Sequence, residues 1–120
     1  MASGISESAI KDKIMKYLKG LPRCYALKVW GNHTTIGQPD ILACHNGRML
    51  ALEVKRPGGQ PTEIQKSTLK KWADAGAVAG VVRSVADVNF AIMIHDCEWT
   101  YDTQNWVDFE RERIALCGNG

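Results

Sequence analysis

Residues 39 to 55 have the sequence PDILACHNGRMLALEVK, and this stretch decides the fold. Its central pair, Asn46-Gly47, is the strongest short signal for a type I′ hairpin turn, because both central residues of that turn need a positive φ. The pair separates two apolar runs, Ile41–Cys44 and Met49–Val54, that have the length and composition of strands. We therefore predict an antiparallel hairpin in which the numbers of opposed residues add up to 93.

Two carboxylates face each other in this register. Asp40 lies opposite Glu53, and Lys55 projects from the same face two residues later. At about 5 Å and an effective dielectric of about 20, their repulsion is on the order of 3 kcal/mol, more than the roughly 0.2–1 kcal/mol of a good cross-strand pair. A shared proton, the Lys55 ammonium or a bound cation must offset it, and Mg²⁺ suits two acidic oxygens with open water positions. The alternative is a wet sheet edge, where solvent screens the repulsion.

The apolar pattern of the hairpin argues against the wet edge. Both of its faces are mostly apolar, with Leu42, Cys44, Met49 and Ala51 on one and Ile41, Leu50, Leu52 and Val54 on the other. A sheet that is apolar on both sides is covered on both sides, as in α/β proteins. We therefore expect Asp40, Glu53 and Lys55 at one end of a buried face, and Cys44 as a small buried hydrophobe.

The rest of the chain supplies the other elements of an αβββαβ core. We predict, in order, a helix over Ser8–Lys19 capped by Ser6, a strand over Cys24–Trp30, the hairpin, a helix from Thr62 to Ala75, and a strand over Val78–Arg83. A helix between the hairpin and the last strand implies a parallel β-α-β crossover. Two further helices follow, from Ser84 to about Met93 and over Thr103–Leu116. The order predicts an α/β fold whose mixed sheet is flanked by helices on both faces.

Length and composition bound the class of protein. One hundred and twenty residues, 45% of them apolar, predict one globular domain over 1–120. The net charge of +2 lacks the strong basic signature of many nucleic-acid-binding proteins, although lysines concentrate in two predicted helices. We find no C-x-x-C pair, no secretory signal and no apolar run of membrane-spanning length, so we expect a cytoplasmic protein with reduced thiols and no membrane partner.

The predicted site resembles that of a known family. Pro39-Asp40, followed after a hairpin by Glu53-Val54-Lys55, is similar to the PD-(D/E)xK motif of restriction-endonuclease-like nucleases. Gln65 in the next helix and Val81-Val82-Arg83 in the next strand extend the resemblance to the stand-alone VRR-NUC nucleases of phages and bacteria. The resemblance covers about Glu7 to Val88. It implies a restriction-endonuclease-like fold, Mg²⁺ or Mn²⁺ as cofactor, and catalytic roles for Asp40, Glu53, Lys55 and Gln65.

The predicted metal ligands are Asp40, Glu53 and the carbonyl of Val54, with Glu7 of the first helix as the third carboxylate that the resemblance implies. Glu7 has a second explanation, since acids favour helix N-termini through the dipole. Gln65 has one too, because it completes a capping box with Thr62. The candidates for contacts with DNA phosphates are four cations: Lys11, Arg56, Lys66 and Lys70. Exposed lysines are ordinary, so a solvated surface is the alternative.

The expected activity is metal-dependent hydrolysis of DNA phosphodiester bonds, with Lys55 orienting the attacking water. So short a chain leaves no element for base recognition, which favours a structure-selective endonuclease. The resemblance implies Holliday-junction resolution, and a two-fold symmetric junction requires a homodimer. Two alternatives stay open: a nuclease of the same superfamily that acts on flaps or other DNA, and a non-catalytic DNA-binding or assembly domain.

Two further expectations concern residues outside this site. The three histidines are predicted to face solvent: His33, His45 and His95. The tail concentrates four aromatic residues: Trp99, Tyr101, Trp106 and Phe109. Such a concentration suits either the core or a subunit interface, and we favour the interface.

Overall fold

A computed structural model of the chain describes residues 5–30, 36–96 and 105–117. The elements are, in chain order, α1 (Glu7–Lys19), β1 (Cys24–Lys28), β2 (Ile41–His45), β3 (Arg48–Val54), α2 (Glu63–Asp74), β4 (Val78–Val82), α3 (Val85–Asp96), β5 (Val107–Asp108) and α4 (Phe109–Cys117). The described strands form a mixed sheet in the order β1-β2-β3-β4-β5. The predicted αβββαβ core is confirmed, and α3, β5 and α4 extend it.

The hairpin forms in the predicted register. Asn46 and Gly47 have φ values of 50° and 81°. The opposed pairs run from Ile41–Leu52 to His45–Arg48, and the numbers of each pair add up to 93. The turn is also held from outside the hairpin, because Asn46 N–H donates to Arg23 O at 2.9 Å and Arg23 Nε donates to Asn46 Oδ1 at 3.0 Å.

The outer strands complete the sheet on both sides of the hairpin. β1 pairs antiparallel with β2, whereas β4 pairs parallel with both β3 and β5. The predicted α2 crossover between parallel strands is therefore confirmed. Residues 107–108 form β5 where a helix over Thr103–Leu116 was expected, and α4 starts only at Phe109. The reason is Gly80 on β4, where a Cβ would lie 2.0 Å from Val107 O, so only glycine lets β5 run so close.

Helices cover both faces of the sheet, as predicted. On one face α1, α3 and α4 enclose a core that includes Ile14, Leu18, Ile41, Leu50, Leu52, Val88 and Phe109. On the other face α2 covers β3 and β4 through Ala51, Leu69, Ala73, Ala79 and Val81. Among the described residues, no helix has the length and apolar composition needed to cross a bilayer.

The face under α2 is left open towards β1. Tyr25 is 74% exposed and Leu27 is 43% exposed, and Cys44 is also exposed. The reason is that α2 packs on β3 and β4, which lie further along the same face, away from the β1 edge. The prediction that Cys44 is buried is therefore wrong.

His45 is buried, with 6% of its surface exposed, so the prediction that it faces solvent is wrong. Its side chain has the same parity along β2 as Ile41 and Ala43 and therefore lies on the buried α1 side of the sheet. His33 and the side chain of His95 lie outside the described part of the chain.

The described aromatic residues of the tail pack on the sheet. Phe109 is fully buried, within 2.5 Å of where a Cβ of Gly80 would be, so the interface prediction is wrong for Phe109. Trp106 is partly buried against the cluster under α2. Trp99 and Tyr101 lie outside the described residues.

Gly80→Ala tests the close packing of β5 and Phe109 on β4. The added methyl group would overlap Val107 O, a backbone atom held in the sheet. We expect the free energy of unfolding to fall by about 3 kcal/mol, as for an overpacked core, measured by urea denaturation followed by circular dichroism.

Gly20→Ala is the matched control, because Gly20 has a φ of −84° and a Cβ there would meet its nearest neighbour at 3.5 Å. Its free energy of unfolding should change by less than about 0.5 kcal/mol. Equal losses in the two variants would contradict the packing described for Gly80.

Candidate active site

The candidate site lies at the end of the sheet where β2 begins and β3 ends. Asp40 immediately precedes β2, and its carbonyl accepts a hydrogen bond from Val29 N–H at 2.8 Å. Glu53 is near the end of β3, and Lys55 follows it, with its N–H bonded to Val82 O at 3.0 Å. Asp40 is thus held between the ends of β1 and β3, next to Glu53 as the hairpin register requires.

Both carboxylate oxygens of Asp40 have a donor. Oδ2 accepts a hydrogen bond from Val54 N–H at 2.8 Å. Oδ1 lies 3.3 Å from Nζ of Lys11, which reaches the site from α1. The backbone bond aims the carboxylate at the end of β3, and Lys11 balances its charge. Lys11, predicted as a phosphate contact, therefore lies in the site itself.

Glu53 is the most confined group of the site. It is 2% exposed, and its buried Oε1 has no hydrogen-bond partner in the part of the chain that the structure describes. Its Oε2 lies 3.6 Å from Lys55 Nζ. Burial and then the nearby charge of Asp40 raise the pKa of Glu53 to about 8, and the Lys55 ammonium opposes this rise. The two carboxylates are therefore neighbours on one side of the sheet, as predicted.

This set of donors fits a hard divalent cation. Mg²⁺ typically takes one or two carboxylates and completes its shell with water and phosphate oxygens. Asp40 and Glu53 offer two carboxylates, one of which has a buried oxygen without a donor. A bound cation would satisfy that oxygen and favour the charged form of Glu53 against the two causes that raise its pKa, burial first and then the charge of Asp40.

Glu7 is not brought to this pair. Within the described residues, no group of three or more His, Cys, Asp or Glu side chains lies close enough together to hold a metal ion. Glu7 is the first residue of α1, and Lys11, one turn later, is the α1 side chain beside Asp40. The roles of Glu7 and of the Val54 carbonyl as metal ligands stay predictions.

Gln65 forms the capping box that its spacing predicts. Its N–H donates to Thr62 Oγ1 at 3.2 Å, and its Oε1 accepts from Thr62 N–H at 2.9 Å. The side-chain oxygen is therefore engaged in starting α2, and the catalytic role of Gln65 stays a prediction.

The chain before Asp40 is held by α2, which the sequence pattern did not indicate. Gln38 Oε1 accepts a hydrogen bond from Trp72 Nε1 at 3.2 Å. Gly37, with a φ of 82°, lies so close to α2 that a Cβ would be 2.3 Å from Ile64 Cγ2. These contacts join residues far apart in sequence, and the one available signal was the glycine one residue before Gln38.

Arg83 anchors the loop after Lys55. Its buried guanidinium places Nη1 2.7 Å from Asp108 Oδ1 and 3.4 Å from Glu110 Oε1, while Nη2 donates to Gly59 O at 2.8 Å. Gly59 belongs to the loop between β3 and α2. Arg83 thereby links β5 and α4 to that loop, a positioning contact that the residue types alone do not reveal.

The other predicted DNA contacts are on the surface near α2. Lys66 pairs with Glu63 at 2.9 Å, and Lys70 pairs with Asp74 at 3.1 Å. Arg56 is exposed at the start of the loop after Lys55. Surface pairs of this kind contribute little to stability, and their role towards DNA stays a prediction.

The comparison with solved structures supports the resemblance at the level of the fold. A protein described as a "VRR_NUC domain protein" matches with a TM-score of 0.60 and 17% sequence identity, over 79% of this chain and 91% of that chain. No family model and no curated protein matches the sequence. At this identity the match establishes the shared α/β fold alone, and any function must be argued from the site itself.

Glu53 is expected to make the stability of the metal-free protein depend on pH. The pKa of Glu53 is raised from the ordinary 4.5 to about 8 in the folded protein. Between these values the folded state binds more protons than the unfolded state, so the free energy of unfolding falls as the pH rises through this interval. We expect a loss of a few kcal/mol from about pH 5 to pH 8, measured by urea denaturation in EDTA.

Glu53→Gln removes the titrating group and should flatten this pH dependence, whereas Glu63→Gln, which changes an exposed carboxylate of α2, should keep it. At about pH 8, Mn²⁺ should raise the stability of the wild type and of Glu63→Gln more than that of Glu53→Gln. An unchanged pH slope in Glu53→Gln would refute the assignment.

Proposed function

We propose that this protein is a metal-dependent endonuclease that hydrolyses DNA phosphodiester bonds. The observation that supports this best is the arrangement of Asp40, Glu53 and Lys55. Two neighbouring carboxylates include a buried oxygen without a donor, and the Lys55 ammonium lies 3.6 Å from Glu53. The fold shared with a VRR_NUC domain protein agrees with this activity.

In this proposal Asp40, Glu53 and the Val54 carbonyl would hold Mg²⁺ or Mn²⁺. When bound there, such an ion would supply a water of lowered pKa and positive charge against the scissile phosphate. Lys55, held beside Glu53, orients the attacking water and stabilises the additional negative charge of the pentavalent phosphate. Gln65 positions Lys55 or the water from the start of α2.

Lys11 has two successive partners in this scheme. It lies on Oδ1 of Asp40 in the described structure and there balances the carboxylate charge. If a metal ion took over this charge balance, the Lys11 ammonium would be able to pair with a phosphate oxygen of the substrate. Arg56, Lys66 and Lys70 are proposed to contact phosphates further along the DNA.

The proposed substrate is branched DNA, and the specific reaction is Holliday-junction resolution in the cytoplasm of a bacterial cell or a phage-infected host. Phosphate contacts position DNA without carrying sequence information, so cations around the site favour structure selectivity. A four-way junction is two-fold symmetric, and paired nicks therefore require two copies of the site in a homodimer.

A cleavage panel tests the activity. Labelled four-way junction, 5′ flap, duplex and single strand are incubated with Mg²⁺, Mn²⁺ or EDTA. We expect the wild type to cut the junction in either metal and nothing in EDTA. Asp40→Asn and Lys55→Ala should each lower the rate by about 100-fold or more, because each removes charge from the reacting centre.

The matched control is Lys71→Ala, which makes the same change as Lys55→Ala at an exposed position of α2 and should keep the wild-type rate. If the flap is cut faster than the junction, flap cleavage replaces junction resolution as the proposed reaction. If light scattering shows a monomer, the proposed homodimer is excluded. If the folded protein cuts none of the substrates in either metal, the nuclease proposal is overturned and the non-catalytic DNA-binding domain is the alternative that stays.

A further inference from the structure

A groove of about 670 Å³ lies between α1 and β1, outside the cluster of Asp40, Glu53 and Lys55. We call it the α1–β1 groove. Its lining includes Asp12, Lys16 and Lys19 from α1, and Leu27, Lys28 and Trp30 from β1 and the residues after it. Because β1 is the outer strand of the described sheet, the groove is open to solvent along this edge.

The α1–β1 groove is positively charged. Lys28 Nζ lies 2.6 Å from Asp12 Oδ1, so these two charges offset each other. Lys16 and Lys19 are exposed and form no ion pair with any residue that the structure describes. Their position in the last turn of α1 suits the helix dipole, and they leave two uncompensated positive charges along the groove.

The same groove presents an aromatic surface. Trp30 is 77% exposed and Leu27 is 43% exposed. A helix dipole explains lysines at the end of α1, but it does not explain an exposed tryptophan beside them. Cations that follow a backbone together with an aromatic ring that stacks on bases are the combination that binds single-stranded nucleic acid.

The residues that line the α1–β1 groove adjoin those of the candidate active site. Val29 N–H bonds to Asp40 O at 2.8 Å, and Trp30 is the next residue. On α1, Lys11 contacts Asp40, and Asp12, the next residue, lines the groove. From Lys11 to Lys19 the helix rises about 12 Å, which corresponds to three or four stacked nucleotides at about 3.4 Å each.

We propose that the α1–β1 groove binds a single-stranded segment of DNA adjoining the scissile phosphate, with Trp30 stacked on a base and Lys16 and Lys19 on phosphates. The location of the scissile phosphate rests on the proposed function, but binding itself needs no cleavage. The groove gives a physical basis for selecting branched DNA. A strand at a branch point can leave its partner, whereas an intact duplex offers Trp30 no unpaired base.

A second copy of this chain is a less suitable occupant. In a two-fold symmetric contact of the α1–β1 groove with itself, Lys16 and Lys19 would face the same lysines of the other copy. Like charges placed opposite each other disfavour an interface. DNA phosphates complement these charges, so the charge of the groove favours nucleic acid.

Binding is measured in EDTA, where the proposed enzyme does not cut, by fluorescence anisotropy with a labelled oligothymidylate and a duplex of equal length. We expect tighter binding of the single strand. Trp30→Ala should weaken it at least about fivefold, and Trp30→Phe should restore most of it, because every aromatic ring can stack on a base. Lys16→Ala with Lys19→Ala should reduce the slope of log K against log salt by about 1.4.

The matched controls keep the same element and residue type. Tyr25→Ala removes an exposed aromatic ring of β1 and Lys13→Ala an exposed lysine of α1, both outside the groove lining. Each should stay within about twofold of the wild type. The proposal would be overturned if the control variants bound DNA as weakly as the groove variants. It would also be overturned if the wild type bound single strand and duplex equally tightly.

Two further results separate this proposal from its neighbours. A Trp30→Ala variant that changes the mass in light scattering while keeping its DNA affinity would make the groove a contact between copies and overturn the proposal. The cleavage panel is scored independently of binding. If binding depends on the groove residues but no substrate is cleaved, the groove proposal is supported and the nuclease proposal is overturned. If DNA is cleaved but the groove variants bind as tightly as the wild type, only the groove proposal is overturned.

Discussion

The tight turn at Asn46-Gly47 is the constraint on which the site depends. It sets the pairing of β2 with β3, and a shift of one residue would move Glu53 to the opposite face of the sheet, away from Asp40. Asn46 and Gly47 adopt the positive φ values that the turn requires, and two hydrogen bonds between Asn46 and Arg23 stabilise it. A register specified in this way can place two like charges together, because no neighbouring register buries the same apolar residues.

The repulsion between Asp40 and Glu53 is partly compensated by the charged groups that surround them. The Lys11 ammonium, on α1, offsets the charge of Asp40. The Lys55 ammonium, one residue after the end of β3, offsets the charge of Glu53. The offset is incomplete, because burial and Asp40 still raise the pKa of Glu53 and one oxygen of Glu53 has no donor among the described residues. A cation bound by both carboxylates would offset this burial and repulsion, which is the physical link between the fold and the proposed metal chemistry.

Contacts outside the cluster hold the chain on either side of it. Gln38 is bonded to Trp72 of α2, which fixes the segment that leads into Asp40. Arg83 holds the loop after Lys55 through the Gly59 carbonyl and is itself fixed by Asp108. β1 is the outer strand of the described sheet, and the α1–β1 groove lies along this edge, near the segment that holds Asp40.

Patterns of nearby residues were sufficient to predict the features that depend on short-range geometry. The turn pair, the alternation of the strands and the caps at Ser6 and Thr62 predicted the register, the neighbouring carboxylates and the mixed sheet, because each requires only the pattern of nearby residues. Which surface each element covers depends instead on how the whole chain packs. This packing buried His45 and Phe109, exposed Cys44, turned residues 107–108 into a strand, and put Lys11 rather than Glu7 beside Asp40. These outcomes depend on contacts between residues far apart in the chain, such as Gly80 with Val107, and no local pattern records them.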